Sequence, residues 1–433
     1  MRHRLVRTLL GSSTVCYMTA VPQPLFTFGV IADVQWADDE DGWNYLRTVS
    51  RKYRGAFRTL GRAVDWWNEL PKPPQFIAQL GDLIDGCNVN LGQSHSALDA
   101  ALQELSRAPC PTYSLVGNHE LYNFDRQTLA KASWLRHGDM EYYSFAPAKG
   151  WRVVVLDPYQ RALIGFAQDD PRRQEAAELI GSKNPGVDLS GTGGEWFSQV
   201  DGYDRRFVPY NGGLGAEQLA WLRAELSAAS AAEERVIIAC HVILHPKACG
   251  GGTMAWDYPE ALEVIASEEA GGCVAAVMCG HDHFGSHSRR PNPSAHKRMR
   301  TPFLTSPQMK GCARCLVQLT HARASRASCT HLAGQYHCDE ETGVHHCTFC
   351  SPLNKGDDGD AFGLVHVWDD AIEVRGPCLD DFLPAERGGK PTGRPAKVAC
   401  PPDSTSPACE SVTLALRPAK GSGGGDEGEV VVR

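Results

Sequence analysis

Phe76-Ile77-Ala78-Gln79-Leu80-Gly81-Asp82-Leu83-Ile84-Asp85 is the stretch that decides how this chain folds. A short apolar run, of the length of a buried strand, stops at a glycine and is followed by two carboxylates. The same pattern recurs along the chain. Phe26–Ala32 leads into Asp33-Val34-Gln35, and Thr112–Val116 into Gly117-Asn118-His119-Glu120. Arg235–Cys240 leads into His241, and Val274–Met278 into Gly280-His281-Asp282-His283. Loops at the carboxyl ends of strands are where open α/β sheets place their chemistry. Asp, Asn, Gln and His are ligands that first-row ions such as Mn²⁺ and Fe²⁺ accept. Two divalent ions about 3.5–4 Å apart need a bridging carboxylate, further N/O ligands and an open water position. Any one of these segments arises easily by chance. All of them, in one order and each at a strand end, point to a two-metal centre.

Around these segments strands and helices alternate from Phe26 to Met278, which predicts an α/β sandwich. Arg47–Glu69 carries Leu60, Ala63, Val64 and Trp67 at helical spacing. Ser94–Leu105 and Gly215–Ala229 read the same way. Tyr142–Phe145 and Arg152–Leu156 form a predicted hairpin pair. Gly343–Phe349, Phe362–Trp368 and Ala371–Arg375 are short strands expected to close the second sheet. Pro158–Pro209 is less regular, with a helix-like RRQEAAELI and then a Gly-rich stretch. Loops that long are functional or disordered, so a cap over the site and a solvated excursion both remain open.

With 433 residues, 42% hydrophobic and 22% charged, the composition is that of a globular chain. A net charge of −8 argues against a general nucleic-acid binder. No run of eighteen apolar residues is present, so no transmembrane helix and no membrane partner are expected. Residues 1–24 read as a disordered lead-in. The alternative is an organelle transit peptide, since Arg2, Arg4 and Arg7 precede any acid. Sixteen cysteines without a convincing secretory signal predict free thiols in a reducing, cytoplasmic setting. From residue 385 to 433 the composition turns to Gly, Pro, Ser and Lys, and a disordered tail is expected.

One segment, 286–333, has a foreign composition. Residues 284–338 hold nine Lys/Arg and no Asp or Glu. A cheap surface-loop insertion, a basic interaction arm and translated intron sequence all fit it. Cys312–Cys315 and Cys347–Cys350 have zinc-like spacing; we take it as chance.

The ordered segments resemble the calcineurin-like metallophosphoesterase superfamily, with its D-x-H, GDxxD, GNHE/D, H and GHxH motifs. Gln35 stands where most members have His. That departure, with FGVIADVQWADDEDG, YNGGLGAEQLAWL, HVILHP and GVHHCTF, is similar to the manganese-dependent ADP-ribose/CDP-alcohol diphosphatases. The resemblance runs from Phe26 to about Gly376. It implies two mixed β-sheets sandwiched between helices (αββα) in a domain spanning 25–384, interrupted at 286–333. It implies two divalent ions, expected to be Mn²⁺, with Asp82 bridging. Asp33, Gln35 and His283 would complete one ion's shell, and Asn118, His241 and His281 the other's. His119 would be the general acid, oriented by Asp85. The implied reaction is cleavage of the pyrophosphate bond of nucleoside diphosphate esters such as ADP-ribose, CDP-choline and CDP-ethanolamine by a metal-bridging hydroxide. The alternatives are a phosphodiesterase or phosphomonoesterase on the same scaffold, or a metal-bearing scaffold without catalysis. The expected partner is a small nucleotide substrate and the expected state a monomer. On the substrate side, Trp43 and Tyr45 could stack on a nucleobase or pack beneath the first loop. Asn211-Gly212-Gly213 permits close approach to a ligand or makes a plain turn.

Overall fold

The computed structural model describes residues 23–44, 47–132, 134–135, 142–189, 196–283, 333–376 and 412–416. Tyr45, Cys312 and Cys315, nearly all of the predicted lead-in and insertion, and most of the predicted tail lie outside them.

Among these residues two six-stranded sheets dominate. In the first, Phe26–Ile31 lies parallel to Ile77–Gln79, which lies parallel to Thr112–Ser114. On its other side Phe362–Val367 and Ala371–Arg375 continue the sheet antiparallel. In the second, Trp151–Leu156, Arg235–Cys240, Val274–Cys279 and His345–Phe349 run parallel. Tyr143–Ala148 and Ala333–Cys338 are its antiparallel edges.

Side-chain alternation along these strands explains the layering. Phe26, Phe28 and Val30 share a buried cluster with Val153, Val155, Ile237, Ala239 and Met278, which glues sheet to sheet. Ile31, Ile77, Val236 and Ile238 belong to a second cluster with helix residues. These come from Tyr53–Glu69 (Leu60, Trp67), Ser94–Leu105 (Leu98, Ala101) and Gly215–Ala231 (Leu222, Leu226). Each fully buried Leu or Phe contributes about 1.5–3 kcal/mol. Gly29 lets the first helix seat, because a Cβ there would lie 2.8 Å from Trp67 and 2.5 Å from Ile77. The result is the αββα sandwich.

Three expectations need correction. The first helix begins at Tyr53 rather than Arg47, because Ser50–Arg51 pairs with Gly42–Trp43 as a small hairpin. Phe362–Val367 and Ala371–Arg375 close the sheet built on Phe26–Ile31, not the one holding His345–Phe349. Alternation marks a strand but does not choose its neighbour. Finally, Val412–Ala415, inside the expected disordered tail, pairs antiparallel with Ala371–Arg375. The Gly-rich average there hid a local alternation, Val412, Leu414 and Leu416, and Leu416 packs against the inter-sheet core.

Candidate metal centre

The parallel strands of both sheets end at one place. Asp33 follows the first strand of one sheet, Asp82 follows its neighbour, and His241 and His281 follow two adjacent strands of the other. The loops then run alongside each other. Asp33 N donates to Gly81 O, Gln35 N to Asp82 O and Trp36 N to Leu83 O. Asp33, Gln35, Asp82 and His281 all have positive φ, between 48° and 69°. A non-glycine residue in that region costs of order 1–3 kcal/mol and persists only where its surroundings over-determine it. Here the turn aims each side chain inward. Gly117 is required at close quarters, since a Cβ would fall 2.1 Å from Asp82 Oδ1.

Two groups of ligand atoms form around Asp82, the first with His241 and His281 and the second with Asp33 and His283. In the first, His241 Nε2 lies 3.3 Å from Asp82 Oδ2, 3.2 Å from His281 Nδ1 and 3.4 Å from Asn118 Oδ1. His241 Nδ1 donates to Leu80 O at 2.7 Å, so its Nε2 is the free ligand atom. Tyr159 donates to Asn118 Oδ1 at 3.3 Å. In the second, His283 Nε2 lies 3.4 Å from Asp33 Oδ1. Gln35 Nε2 sits 3.0 Å from Asp82 Oδ2 and 2.8 Å from His283 Nε2, while Gln35 Oε1 is buried with no hydrogen-bond partner among the described residues. A half-turn of the carboxamide exchanges its ends and presents that orphaned oxygen to the same point, as an ion there requires. The donor set fits two hard or borderline divalent ions.

The electrostatics agree. Burial opposes charge on His241, yet Asp82 beside it, and then Asp33, lift its imidazole to about 9. Burial also works against the Asp82 carboxylate, but His241 and His119 outweigh it and hold it well below the usual range. The pocket is therefore built for positive charge against Asp82. His281, by contrast, is driven well below the ordinary histidine value by burial and then by His241.

His119 stands beside the two groups, its Nε2 4.0 Å from Asp82 Oδ2. Gly86 N donates to its Nδ1 at 2.7 Å. Asp85 is a less direct partner than expected, with Oδ2 3.4 Å from that nitrogen and bound instead to Arg51 at 3.0 Å. Asp85 Oδ1 accepts from Cys87 N at 2.8 Å, so the carboxylate shapes the turn that aims Gly86. Burial lowers the His119 imidazolium, more than the flanking carboxylates raise it.

The substrate-side expectations fare differently. Trp43 is 61% exposed on its hairpin, so it does not pack beneath the loop. Asn211 is fully buried and faces His281, with Oδ1 2.7 Å from Nε2. Gly212 and Gly213 make room for the protein itself, for Pro158 O and for the Asp257 carboxylate respectively. Cys347 and Cys350 are buried, and no disulfide joins them to another cysteine among the described residues.

Several contributors escaped the sequence reading. Glu120 accepts from Gly117 N, Asp82 N and Leu83 N at 2.6–2.9 Å, clamping two metal loops together. Asp282 accepts from Gly250 N and Thr253 Oγ1, tying the last loop to the one after His241. Both lie inside motifs already singled out, which was the available signal. Ser351, which donates to Asp33 O, and Asn354, which donates to His283 O, carried none.

Comparison with known proteins agrees with this geometry. The family described as calcineurin-like phosphoesterase matches residues 26–285. A protein of Oryza sativa subsp. japonica named manganese-dependent ADP-ribose/CDP-alcohol diphosphatase is 39% identical over 61% of this chain and 80% of its own. The Xenopus tropicalis protein of the same name is 30% identical over 82% of this chain and 93% of its own. A crystal structure of a dimetal phosphatase from Danio rerio superposes with a TM-score of 0.67 at 27% identity, covering 91% of this chain and 100% of that one. The chain belongs to the calcineurin-like phosphoesterase family of metal-dependent hydrolases, in the group of proteins named manganese-dependent ADP-ribose/CDP-alcohol diphosphatase.

Proposed function

We propose that this chain hydrolyses the pyrophosphate bond of nucleoside diphosphate esters of the ADP-ribose, CDP-choline and CDP-ethanolamine type, with two Mn²⁺ ions. The observation that carries the reading is the pair of ligand groups sharing Asp82, with His119 beside them. The names of the relatives supply the substrate class. Asp82, Asn118, His241 and His281 would hold one ion. Asp33, Gln35 and His283, with Asp82 shared, would hold the other. When bound, two divalent ions lower the pKa of a water and offset charge on the phosphoryl oxygens.

The remaining work falls to the chain. Because Gly86 N–H donates to Nδ1 of His119, the neutral ring carries its proton on Nε2, the atom nearer the metal ligands. As the P–O bond breaks to leave two phosphomonoesters, this Nε2–H hydrogen-bonds the departing phosphate oxygen. Outright transfer of the proton requires the imidazolium, whose Nδ1–H would turn to Asp85 Oδ2, 3.4 Å away, so that the neutral ring is left. Arg51, Asp85 and Cys87 N hold the turn that fixes this tautomer.

The test is a metal-stripped enzyme assayed with added Mn²⁺, Mg²⁺ or Zn²⁺ against the three diphosphate esters, a phosphomonoester and a phosphodiester. Cleavage of the diphosphate esters to monophosphates, strongest with Mn²⁺, is expected. Faster turnover of the monoester or diester with every metal would overturn the assignment.

A further inference from the structure

Asn211 is a polar side chain beside the ligand set whose amide orientation is fixed by its neighbours. It is fully buried. Its Nδ2 donates to two backbone carbonyls, Arg206 O at 2.9 Å and Gly252 O at 2.8 Å. Carbonyl oxygens only accept, so turning the amide over would set oxygen against two oxygens. Oδ1 is thereby forced toward His281 Nε2, 2.7 Å away. An amide oxygen can only accept, so His281 Nε2 must carry the proton. The neutral ring then has its lone pair on Nδ1, the atom 3.2 Å from His241 Nε2.

We propose that Asn211 is a positioning residue that locks His281 in the Nε2–H tautomer and so selects Nδ1 as the ligand atom for the ion held with Asp82 and His241. The inference rests on the two-ion reading above. Leu80 O does the same for His241 from the opposite side, through Nδ1. Tyr210 completes the lock, its ring 5.7 Å from His281 and its hydroxyl donating to Gly252 O at 2.9 Å. Two chain segments, around Arg206–Asn211 and Gly252, thus act on the metal centre through His281. Such outer partners fix ring orientation and tautomer, and their loss typically weakens metal binding roughly 10–100-fold.

The test uses the full chain stripped of metal, with Mn²⁺ titrated into wild type, Asn211→Leu and Asn211→Asp, and ¹⁵N-histidine spectra of the metal-stripped wild type. Wild type should bind two Mn²⁺. Asn211→Leu should weaken one of the two sites by roughly 10–100-fold and spare the other. Asn211→Asp keeps an acceptor at Nε2, so it should retain both sites while losing thermal stability, because its second oxygen faces the Arg206 and Gly252 carbonyls. The wild-type spectrum should show His281 protonated at Nε2. A proton on Nδ1 would overturn the proposal even if Asn211→Leu failed to fold. So would wild-type Mn²⁺ affinities in Asn211→Leu, or equal weakening in Leu and Asp variants, which would mark a packing role. Fewer than two Mn²⁺ sites in wild type would instead refute the two-ion reading itself.

Discussion

Replacing Glu120 should destabilise the protein and loosen its metal centre together. The carboxylate is fully buried and accepts from three backbone amides, Gly117 N at 2.8 Å, Asp82 N at 2.9 Å and Leu83 N at 2.6 Å. Glu120→Ala strands all three, and each buried unsatisfied donor costs roughly 1–3 kcal/mol. Part of that is offset. Burial, and then the nearby Asp82 charge, raise the Glu120 pKa to about 7, so the carboxylate is held against a penalty of about 3 kcal/mol that its removal relieves. Taking about 2 kcal/mol for each of the three donors, the balance after that relief is about 3 kcal/mol for Glu120→Ala. Glu120→Gln keeps an acceptor for two of the amides but turns an NH₂ toward Leu83 N, for a loss of about 2 kcal/mol. Urea unfolding of the metal-free full chain, wild type beside both variants, measures the difference. Mn²⁺ titration should show weaker binding in the same variants, because Asp82 N and Gly117 N position the carboxylate common to both ligand groups and the Asn118 turn. If both variants stay within about 0.5 kcal/mol of wild type, the range of an ordinary surface substitution, and bind Mn²⁺ normally, the clamp has no energetic role and the reasoning fails.

His119→Ala should leave metal content unchanged and slow hydrolysis by roughly 10²–10⁴-fold. The loss should shrink for substrates whose leaving group needs no proton, and an equal loss across good and poor leaving groups would exclude the acid role. Gln35→His should narrow the gap between Mn²⁺ and Zn²⁺ activation, since imidazole suits both ions where an amide oxygen favours the harder one. An identical metal profile would place Gln35 outside the coordination shell.

Much of this molecule can be read from its one-dimensional pattern. The apolar runs before Asp33, Asp82, Asn118, His241 and His281 are strands or lead directly from them, and all five loops converge, the Asn118 loop through its contact with His241. A strand's period and its terminating glycine are local properties, and a side chain that follows a parallel strand has only one end of the sheet to occupy. The sandwich and the gathering of these side chains at one place were therefore legible. Sheet membership was not. Phe362–Val367 reads as a strand in any context, and only the open edge of Phe26–Ile31 decides where it pairs. The Val412–Ala415 strand was hidden because a window of Gly, Pro and Ser outweighed four residues whose stability comes from a neighbour.

Roles that depend on who faces whom belonged to the tertiary structure alone. Asn211 read as a residue near a ligand. Folding buries it against His281, and only the carbonyls of Arg206 and Gly252, distant in sequence from that ring, fix which end of its amide faces the imidazole. Asp85 read as the partner of His119, yet Gly86 N makes the shorter contact while Arg51 takes the carboxylate. Residue type and spacing can nominate a ligand, because coordination chemistry restricts which side chains serve. They cannot say which atom of that side chain faces the ion. A proton's position on an imidazole is set by the hydrogen-bond partner at the far nitrogen, and the fold brings that partner from elsewhere in the chain.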